Sequence, residues 1–392
     1  MILLLLLPDN HWNRFMKIGF DAKRLFNNFT GLGNYSRTLV KNLQVYYPED
    51  LYYLYTPKIR QDSLTTPFLK DDEYRTVCHP GLLKSLWRTS GIKKDLKKDG
   101  IDLYHGLSHE IPLGIDHTHI RSVVTIHDVI YLTYPDMYKA IDRAIYDYKF
   151  RYSCKHADKI IAISESTKRD IIHYYHIPEE KIKVIYQAIQ PVFYHMQTDE
   201  AATDIVQKYR LPQDYLLYVG AINSRKNLLG LVKALALLPA DLKIPLVIVG
   251  NGRQYKEEVL KYAEQAHLSG RLILLNNLHN PLELQAFYQK ARIFIYPSFY
   301  EGFGLPVTEA LLSKVPVITS DCSSLPEAGG DAAYYIHPDD PEEMAEAIQK
   351  VLTDTELSRK MIEKGYVFAH RRFNVEKLTE QVHTLYQEIL DR

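Results

Sequence analysis

The chain has 392 residues, enough for two domains that each bury a core of ordinary size. Its 48 Lys and Arg residues balance 48 Asp and Glu residues, so the charge does not support nucleic-acid binding. The three cysteines, Cys78, Cys154 and Cys322, match neither a disulfide framework nor a metal-ligand spacing, which favours a reducing cytosol.

A short apolar run opens the chain. Ile2 to Leu7 are apolar, but Pro8 and Asp9 end the run far short of the about 20 residues that a membrane-spanning helix needs. The run has no basic start and no small-residue cleavage site, so it differs from a typical signal peptide. Because Lys17–Asp21 is typical of a first strand, we interpret residues 1–15 as an upstream extension.

Strand-like and helix-like segments then alternate over the first half. Such alternation predicts parallel strands joined by helices, and Ser164 followed by polar residues is a typical helix start. The predicted strands are Lys17–Asp21, Leu51–Tyr55, Ile101–Tyr104, Arg121–Ile126, Lys159–Ile163 and Lys183–Ile185, and the predicted helices are Gly31–Tyr47, Tyr138–Cys154 and one that begins at Ser164.

The same alternation repeats in the second half. Residues 190–214 contain Pro191 and Pro212 and lack a strand pattern, so we place the domain junction there. We therefore predict a first domain over residues 16–195, a second over 196–372 and a final helix over 373–392. The predicted strands are Tyr215–Val219, Pro245–Val249, Arg271–Leu275, Ile293–Tyr296 and Val315–Thr319, and the helices between them are Asn227–Leu238, Gln254–His267, Leu282–Gln289 and Leu305–Ser313.

The most informative motif is a pair of glutamates separated by seven residues, Glu301 and Glu309. The glycine turn Gly302, Phe303, Gly304 follows the first glutamate, and the helix that begins at Leu305 carries the second. A turn after a strand of an open α/β sheet lies at the carboxyl edge, where ligands bind, and a helix amino end there offers N–H groups to an anion. The two carboxylates can therefore reach different hydroxyls of one elongated, sugar-containing ligand.

The string from Tyr300 to Ala310 resembles the nucleotide-sugar site of the retaining glycosyltransferases called family 4 or group 1. The resemblance implies the GT-B fold, which is an α/β fold of two doubly wound, Rossmann-like domains facing a central cleft. It also implies that the C-terminal helix crosses back to the first domain. For the site, it implies that Glu309 holds ribose hydroxyls and that Glu301 and the N–H groups of the glycine turn hold the donor sugar.

A basic pair follows the first strand of the second half. After Gly220, the residues Arg225 and Lys226 open a helix on the same predicted cleft edge as Glu301. A departing diphosphate needs fixed cations, which guanidinium and ammonium groups supply. The segment resembles the family's diphosphate-binding pair, and residues 276–280 resemble its base-contacting loop.

Two motifs of the first half also resemble the family. The loop with Gly31 and Gly33 is similar to its glycine-rich loop, where glycines let the backbone approach a phosphate or sugar closely. His127 matches the family's histidine that contacts the donor sugar near the reacting carbon, and Asp128 is predicted to brace that loop or orient His127. Glu327 is predicted to support the cleft structurally. The chain departs from the family pattern at residues 186–189, which leaves the local hinge geometry open.

The resemblance implies retaining transfer of a hexose from a nucleoside-diphosphate sugar to a glycan or lipid-linked acceptor in cell-surface polysaccharide synthesis. The combination T-G-x-G-x-Y and I-H-D resembles bacterial mannosyltransferase-like members, so GDP-mannose is the favoured donor; UDP-glucose and UDP-N-acetylglucosamine stay open. No D-x-D motif is present and Arg225 with Lys226 can neutralise the diphosphate, so we predict no metal and no cofactor. The alternatives are a sugar-nucleotide epimerase of the same fold and a non-catalytic nucleotide-sugar binding module.

The predicted location is the cytoplasm. The basic stretch formed by Leu86 to Arg88 and Lys93 to Lys98 is typical of a solvated helix face. The alternative for this stretch is peripheral contact with the inner face of the plasma membrane, because many acceptors of such enzymes are lipid-linked.

Overall fold

The computed structural model describes residues 15–79, 81, 84–276, 278 and 280–391. All but the last residue of the predicted extension over 1–15 lies outside the described residues. In the described part of the chain, no helix has the length and apolar character needed to cross a membrane.

The first sheet has seven parallel strands in the order β3-β2-β1-β4-β5-β6-β7. Its central strands β1, β4 and β5 are buried along almost their whole length, as expected for a parallel sheet that helices cover on both faces. The strands are β1 Lys17–Asp21, β2 Leu51–Thr56, β3 Arg75–Cys78, β4 Leu103–Gly106, β5 Arg121–Ile126, β6 Lys159–Ala162 and β7 Ile182–Val184. The helices are α1 Lys23–Asn27, α2 Gly31–Tyr46, α3 Lys84–Leu86, α4 Ile92–Asp99, α5 Ile130–Thr133, α6 Ala140–His156 and α7 Glu165–Tyr175, and a π-helical turn over Trp87–Gly91 joins α3 to α4.

The second sheet has six parallel strands in the order β10-β9-β8-β11-β12-β13. The strands are β8 Leu216–Val219, β9 Leu246–Val249, β10 Leu272–Leu275, β11 Ile293–Tyr296, β12 Val317–Ser320 and β13 Tyr334–Ile336. The helices are α8 Asp199–Lys208, α9 Leu228–Leu237, α10 Gln254–Gln265, α11 Pro281–Lys290, α12 Leu305–Leu312, α13 Leu325–Gly329, α14 Pro341–Thr353, α15 Thr355–Arg372 and α16 Val375–Leu390.

Both sheets reverse their strand order at one point, between β1 and β4 in the first and between β8 and β11 in the second. In open α/β sheets, the crevice at such a switch point is where ligands bind. The strand order therefore predicts one binding crevice in each half of the molecule.

The C-terminal helix α16 crosses back to the first half, as the resemblance to the family implies. The Tyr386 hydroxyl is 2.6 Å from Nδ1 of His105 on β4, and His383 stacks on Tyr47 with 3.5 Å between ring centroids. Residues of both halves and of α16 belong to one continuous apolar core. The helix therefore ties the two sheets into one packed unit.

The structure corrects the predicted elements mainly at the sheet edges. The edge strands β3 and β13 were not predicted, because β3 is partly exposed and β13 has only three residues, so neither carries a strong apolar pattern. The predicted strand Ile101–Tyr104 lies two residues later, at Leu103–Gly106. The Asp102 carboxylate accepts from the Lys17 backbone N–H at 2.9 Å, so this residue caps the strand entrance instead of extending the strand.

Candidate active site

The loop from Glu301 to Gly304 joins β11 to α12 at the switch point of the second sheet. Gly304 has φ of 110°, a conformation that glycine adopts without strain, and it precedes the first residue of α12. The Ser324 hydroxyl donates to the carbonyls of Glu301 and Phe303, each at 2.8 Å. These contacts fix the glutamate at the amino end of α12.

Arg225 and Lys226 lie on a short 3-10 turn between β8 and α9. The turn is shaped by Asn223, whose side chain accepts from the Lys226 N–H at 3.1 Å, and by Asn227, which has φ of 54° and caps α9. Because β8 and β11 are neighbours in the sheet, this turn lies directly beside the Glu301 loop.

The structure brings Glu301, Arg225 and Lys226 into one buried cluster. Arg225 Nη1 is 2.9 Å and Lys226 Nζ is 2.5 Å from Oε1 of Glu301, and the side chains of the three residues are 10–19% exposed. The Tyr296 hydroxyl, at the end of β11, donates to the same oxygen at 3.1 Å and also contacts Lys226 Nζ. Sequence analysis missed Tyr296, although it is the last residue of the strand that leads into the motif.

The charges of this cluster depend on each other. Burial alone would raise the pKa of Glu301, but Lys226 and Arg225 outweigh it and hold that pKa at about 2. Burial lowers the pKa of Lys226 against the opposing effect of Glu301, whereas Glu301 raises the pKa of Arg225 against the opposing effect of burial. Since Glu301 stays ionised, the cluster holds two cations and one anion, and its surplus positive charge can attract an anionic ligand.

Glu309 lies two turns into α12, and its contacts differ from those of Glu301. Its Oε2 accepts from the Tyr288 hydroxyl at 3.2 Å, and no cation contacts it within the described residues. Burial raises the pKa of Glu309 to about 7, with the Tyr288 hydrogen bond acting in the opposite direction. Its partner Tyr288 was also missed by sequence analysis.

His127, at the end of β5, has both ring nitrogens bonded to protein groups. Nε2 donates to the Leu107 carbonyl at 2.9 Å, and the Gln187 side-chain amide donates to Nδ1 at 2.9 Å. Burial and the neighbouring His109 lower the pKa of His127 to about 3, so the ring is neutral. Gln187 belongs to the segment in which the chain departs from the family pattern, and that departure was the only sequence signal for this contact.

The two halves meet at the same point. A Cβ on Gly302 would lie 2.1 Å from the His127 carbonyl oxygen, so this close approach requires glycine. The Tyr35 ring of α2 packs edge-on against the His127 ring at 4.7 Å, which connects the helix that begins at Gly31 to the same place. A Cβ on Gly33 would clash with the Asn28 carbonyl at 1.8 Å, whereas one on Gly31 would meet nothing within 4 Å.

The other predicted site residues lie around this centre. Asp128 accepts from the Ile130 N–H at 3.2 Å, and burial raises its pKa. The Phe303 ring is buried between Tyr186 and Phe373, at centroid distances of 5.5 and 5.3 Å, so its side chain packs in the interdomain core. Gly220 lies beside Tyr296 and Lys226, and Leu305 is the half-buried first residue of α12.

Helix α7 of the first half clamps the glycine turn. Its N-cap residue Ser164 donates through Oγ to the Gly302 carbonyl at 2.7 Å. Its free N–H groups at Glu165 and Ser166 bind the carboxylate of Glu327, from the second half, at 2.7 and 2.8 Å. Sequence analysis singled out Glu327 as a structural residue of the cleft, but it did not identify α7 as its partner.

Two further predictions concern the base-contacting loop and the absence of a metal. Residues 277 and 279 of the predicted base-contacting loop lie outside the described part of the chain. Within the ranges that the structure describes, no three His, Cys, Asp or Glu side chains form a group that could hold a metal ion.

Two family models match the chain. The model for glycosyl transferases group 1 matches residues 202–368, and the model for glycosyltransferase family 4 matches residues 52–192. The first match includes Arg225, Lys226, Glu301 and Glu309, and the second includes His127.

Curated relatives match over much of the chain. The O-antigen chain mannosyltransferase B of Escherichia coli is 31% identical over 389 residues, which cover 95% of this chain and 100% of that protein. The O-antigen chain mannosyltransferase RfbU of Salmonella typhimurium is 29% identical over 62% of this chain and 63% of its own length.

Solved structures match the fold. Anabaena HepE, in a crystal structure with UDP and glucose, has a TM-score of 0.75 at 16% identity and covers 95% of this chain and 99% of its own. WaaG, described as a glycosyltransferase involved in lipopolysaccharide biosynthesis, has a TM-score of 0.70 at 19% identity, with coverage of 95% and 99%. Together with the two family models and the full-length relative, this fold shows that the chain is a glycosyltransferase and belongs to family 4, group 1, with the GT-B fold.

Proposed function

We propose that this glycosyltransferase moves a hexose, with mannose favoured, from a nucleoside-diphosphate sugar to a glycan or lipid-linked acceptor with retention of anomeric configuration. The observation that carries the proposal is the buried cluster of Glu301, Arg225 and Lys226 at the switch point of the second sheet. Two cations and one carboxylate beside a helix amino end suit a ligand that has both a diphosphate and sugar hydroxyls.

In this proposal, each group has one role. Arg225 and Lys226 bind the diphosphate and stabilise the charge that develops as it leaves. The Glu301 carboxylate and the N–H groups of residues 302–304 bind the donor sugar, and Glu309 binds the ribose hydroxyls. His127 is neutral and is held by Gln187 and the Leu107 carbonyl, so it shapes the donor pocket without exchanging a proton. The acceptor hydroxyl attacks from the face that the diphosphate leaves, and the departing phosphate oxygen takes up the proton of that hydroxyl.

The diphosphate is neutralised by protein cations in this proposal, so transfer needs no divalent metal. We expect transfer activity to be unchanged by EDTA and by added magnesium or manganese. Activity that EDTA abolishes and a divalent metal restores would contradict this part of the proposal.

The donor is tested by a thermal-shift panel of GDP, UDP, ADP and their common hexose conjugates. We expect GDP-mannose to stabilise the wild type, Arg225→Ala to lose that stabilisation, and Lys243→Ala, which removes an exposed cation, to keep it. Stabilisation of Arg225→Ala equal to that of the wild type would contradict the diphosphate role. If only UDP conjugates stabilise the wild type, the donor is a UDP-sugar and GDP-mannose is ruled out.

The reaction type is tested by NMR of the product. Transfer with retention gives an α-linked product from an α-linked donor, whereas an inverted linkage would contradict the proposal. A changed sugar nucleotide formed from the donor alone, without any acceptor, would instead point to an epimerase.

We also propose peripheral membrane contact through the exposed face of the first half. Leu86 is 59% exposed, and α4, which the π-helical turn joins to it, carries four lysines beside two aspartates. Exposed apolar side chains next to cations suit an anionic bilayer surface. Co-sedimentation with vesicles containing anionic lipid at low salt tests this; a protein that stays in the supernatant contradicts it.

A further inference from the structure

The chain passes between the two halves at two places, and these places are in contact. The first is the segment after β7 that contains Tyr186, and the second is the passage from α15 to α16. Arg372 is the last residue of α15, and its Nη2 donates to the Tyr186 hydroxyl at 2.9 Å. The guanidinium carbon of Arg372 also lies 4.8 Å from the centroid of the Tyr186 ring. Arg372 therefore joins the two connections between the halves.

A basic cleft lies beside this contact. The cleft is open and has a volume of about 1470 Å³ with the adjoining solvent included. Four cationic side chains line it, Lys364, Arg371 and Arg372 from α15 and Lys377 from α16. We call Arg371, Arg372 and Lys377 the basic trio, and all three residues are exposed.

The carboxylates of the cleft do not neutralise the basic trio. Glu363 is bound by Arg359 of its own helix at 2.6 Å, and Asp331 lies 3.8 Å from Lys364. Within the part of the chain that the structure describes, no carboxylate lies at ion-pair distance from a member of the trio. Three cations that share one cleft repel each other, and a bound anion removes that repulsion.

The shape of the cleft suits a phosphate ester. Tyr186 holds the Arg372 guanidinium through Nη2, while no described residue accepts from its Nε or Nη1. A fixed guanidinium with a free edge can bind two oxygens of one phosphate. Val367, which is 53% exposed, and Phe368 form an apolar wall of the same cleft, on which the carbon part of an ester can pack.

We propose that this cleft binds a phosphate-bearing small molecule, with the phosphate oxygens on the basic trio and the carbon skeleton on Val367 and Phe368. None of the residues that line the cleft belongs to the donor loop or to the pair Arg225 and Lys226. The inference thus goes beyond the proposed function and does not depend on it.

The position of the cleft links the ligand to contacts between the halves. The Tyr186 hydroxyl that accepts from Arg372 donates to Glu327 at 3.2 Å, and the Tyr186 ring lies 5.5 Å from that of Phe303 on the donor loop. A ligand that binds only the folded chain raises its unfolding temperature. We therefore expect the ligand to stabilise the whole chain against heat.

The test is a calorimetric titration of inorganic pyrophosphate into the full chain at low ionic strength. Wild type and Arg225→Ala are both titrated, because Arg225→Ala weakens anion binding at the donor site and leaves the cleft intact. We expect pyrophosphate to bind the cleft in both proteins. In the Arg225→Ala background, we expect Arg372→Gln, or Arg371→Gln combined with Lys377→Gln, to weaken binding by about 10- to 100-fold.

The matched control is Lys360→Gln, which removes an exposed cation of α15 that lies outside the cleft. This variant is expected to bind pyrophosphate as its parent does. Because the side chains of the basic trio are exposed, their variants are expected to fold. Circular dichroism equal to that of the parent checks this.

A second experiment identifies the source of the phosphate group. Glucose 6-phosphate and vesicles of phosphatidylglycerol in phosphatidylcholine are each tested as competitors of pyrophosphate. Competition by glucose 6-phosphate supports a small phosphate ester. Competition by the vesicles alone overturns the small molecule in favour of a lipid headgroup, and competition by neither overturns the role of the apolar wall.

The titrations themselves decide whether the site exists. Pyrophosphate that binds the parent, the variants of the basic trio and Lys360→Gln equally overturns the proposal, as does an Arg225→Ala protein that binds no pyrophosphate. Pyrophosphate binding that depends on the trio, in a chain that no nucleotide or nucleotide sugar stabilises, supports the cleft and overturns the proposed function.

Discussion

At the residue scale, the two glutamates of the motif have opposite electrostatics. Glu301 lies between two cations, so its pKa is held at about 2, whereas Glu309 has only the Tyr288 hydroxyl, so burial raises its pKa to about 7. Nothing in the sequence motif itself predicts this difference between the two glutamates. The difference comes from the neighbouring strand β8, which delivers Arg225 and Lys226 to Glu301 only.

Glu309→Gln is predicted to stabilise the free protein at high pH. Because the folded-state pKa of Glu309 is raised, its contribution to stability is full below its unfolded pKa and is lost as the pH rises through about 7. The variant should equal the wild type at about pH 4 or below, where both states hold the proton, and exceed it at pH 8 by on the order of 3 kcal/mol. Urea unfolding at both pH values measures this.

The same variant should bind nucleotide more weakly, since a carboxylate accepts from two ribose hydroxyls better than an amide does. Glu346→Gln, an exposed change on α14, serves as the control and should alter neither property. A Glu309→Gln protein whose stability follows the wild type at every pH would contradict the raised pKa.

Gln187→Leu is predicted to leave Nδ1 of His127 buried without a donor. Such a loss costs about 1–3 kcal/mol of unfolding free energy and loosens the ring that touches the donor loop. Nitrogen NMR of the wild type should show the tautomer with the proton on Nε2, unchanged between pH 8 and pH 5. A wild-type ring that protonates near pH 6 would refute this assignment.

At the scale of elements, the site is made by helix ends. The amino end of α12 carries the glycine turn, the amino end of α9 follows the basic pair, and the amino end of α7 binds Glu327 across the cleft. A helix amino end attracts negative charge because its first N–H groups have no partner within the helix. For α7, the partner is a carboxylate of the other half, so this cap links the two halves.

Glu327→Ala is predicted to weaken the closed arrangement of the halves. It removes two N–H contacts at the start of α7, which costs about 0.5–2 kcal/mol. Small-angle scattering should show a larger radius of gyration for the variant, and donor hydrolysis by water should rise relative to transfer, because a closed cleft excludes water.

The matched control for this experiment is Glu346→Ala, which removes an exposed glutamate of the second half. Its scattering curve and its ratio of hydrolysis to transfer should be those of the wild type. If Glu327→Ala gives the same values as this control, the carboxylate does not hold the halves together.

At the scale of the whole molecule, α16 makes the stability of the first half depend on the end of the chain. Its Tyr386 bonds to His105 on β4, whose other nitrogen is 2.8 Å from Thr125 Oγ1 on β5. All three residues are buried. A change in the last helix therefore reaches the centre of the first sheet.

Tyr386→Phe is predicted to lower the unfolding free energy by about 1–3 kcal/mol, since it leaves Nδ1 of His105 buried without a partner. Hydrogen exchange should accelerate at β1 and β4, far along the chain from the substitution. Tyr46→Phe, which changes an exposed tyrosine, is the control. Faster exchange confined to α16 would mean that the helix docks without stabilising the sheet.

The sequence by itself determined the family, the alternation of strands and helices, and the identity of the Glu301, Glu309, Arg225 and Lys226 motifs. Local sequence patterns are enough for these three predictions, because the signals for a buried strand, a glycine turn and a helix start each lie within a few consecutive residues. The edge strand β3 was not predicted, because a partly exposed strand has only a weak apolar pattern.

Only the tertiary structure decided which side chains meet. These contacts join residues of different elements or residues on both sides of a turn. They are Tyr296 with Glu301, Gln187 with His127, Glu327 with α7, and Arg88 with Asp21 and Glu110. Such contacts follow from strand order and helix packing, which bring together residues from distant parts of the chain. The charge state of each site residue depends on those contacts. The sequence motif therefore identifies the residue but does not predict its charge state.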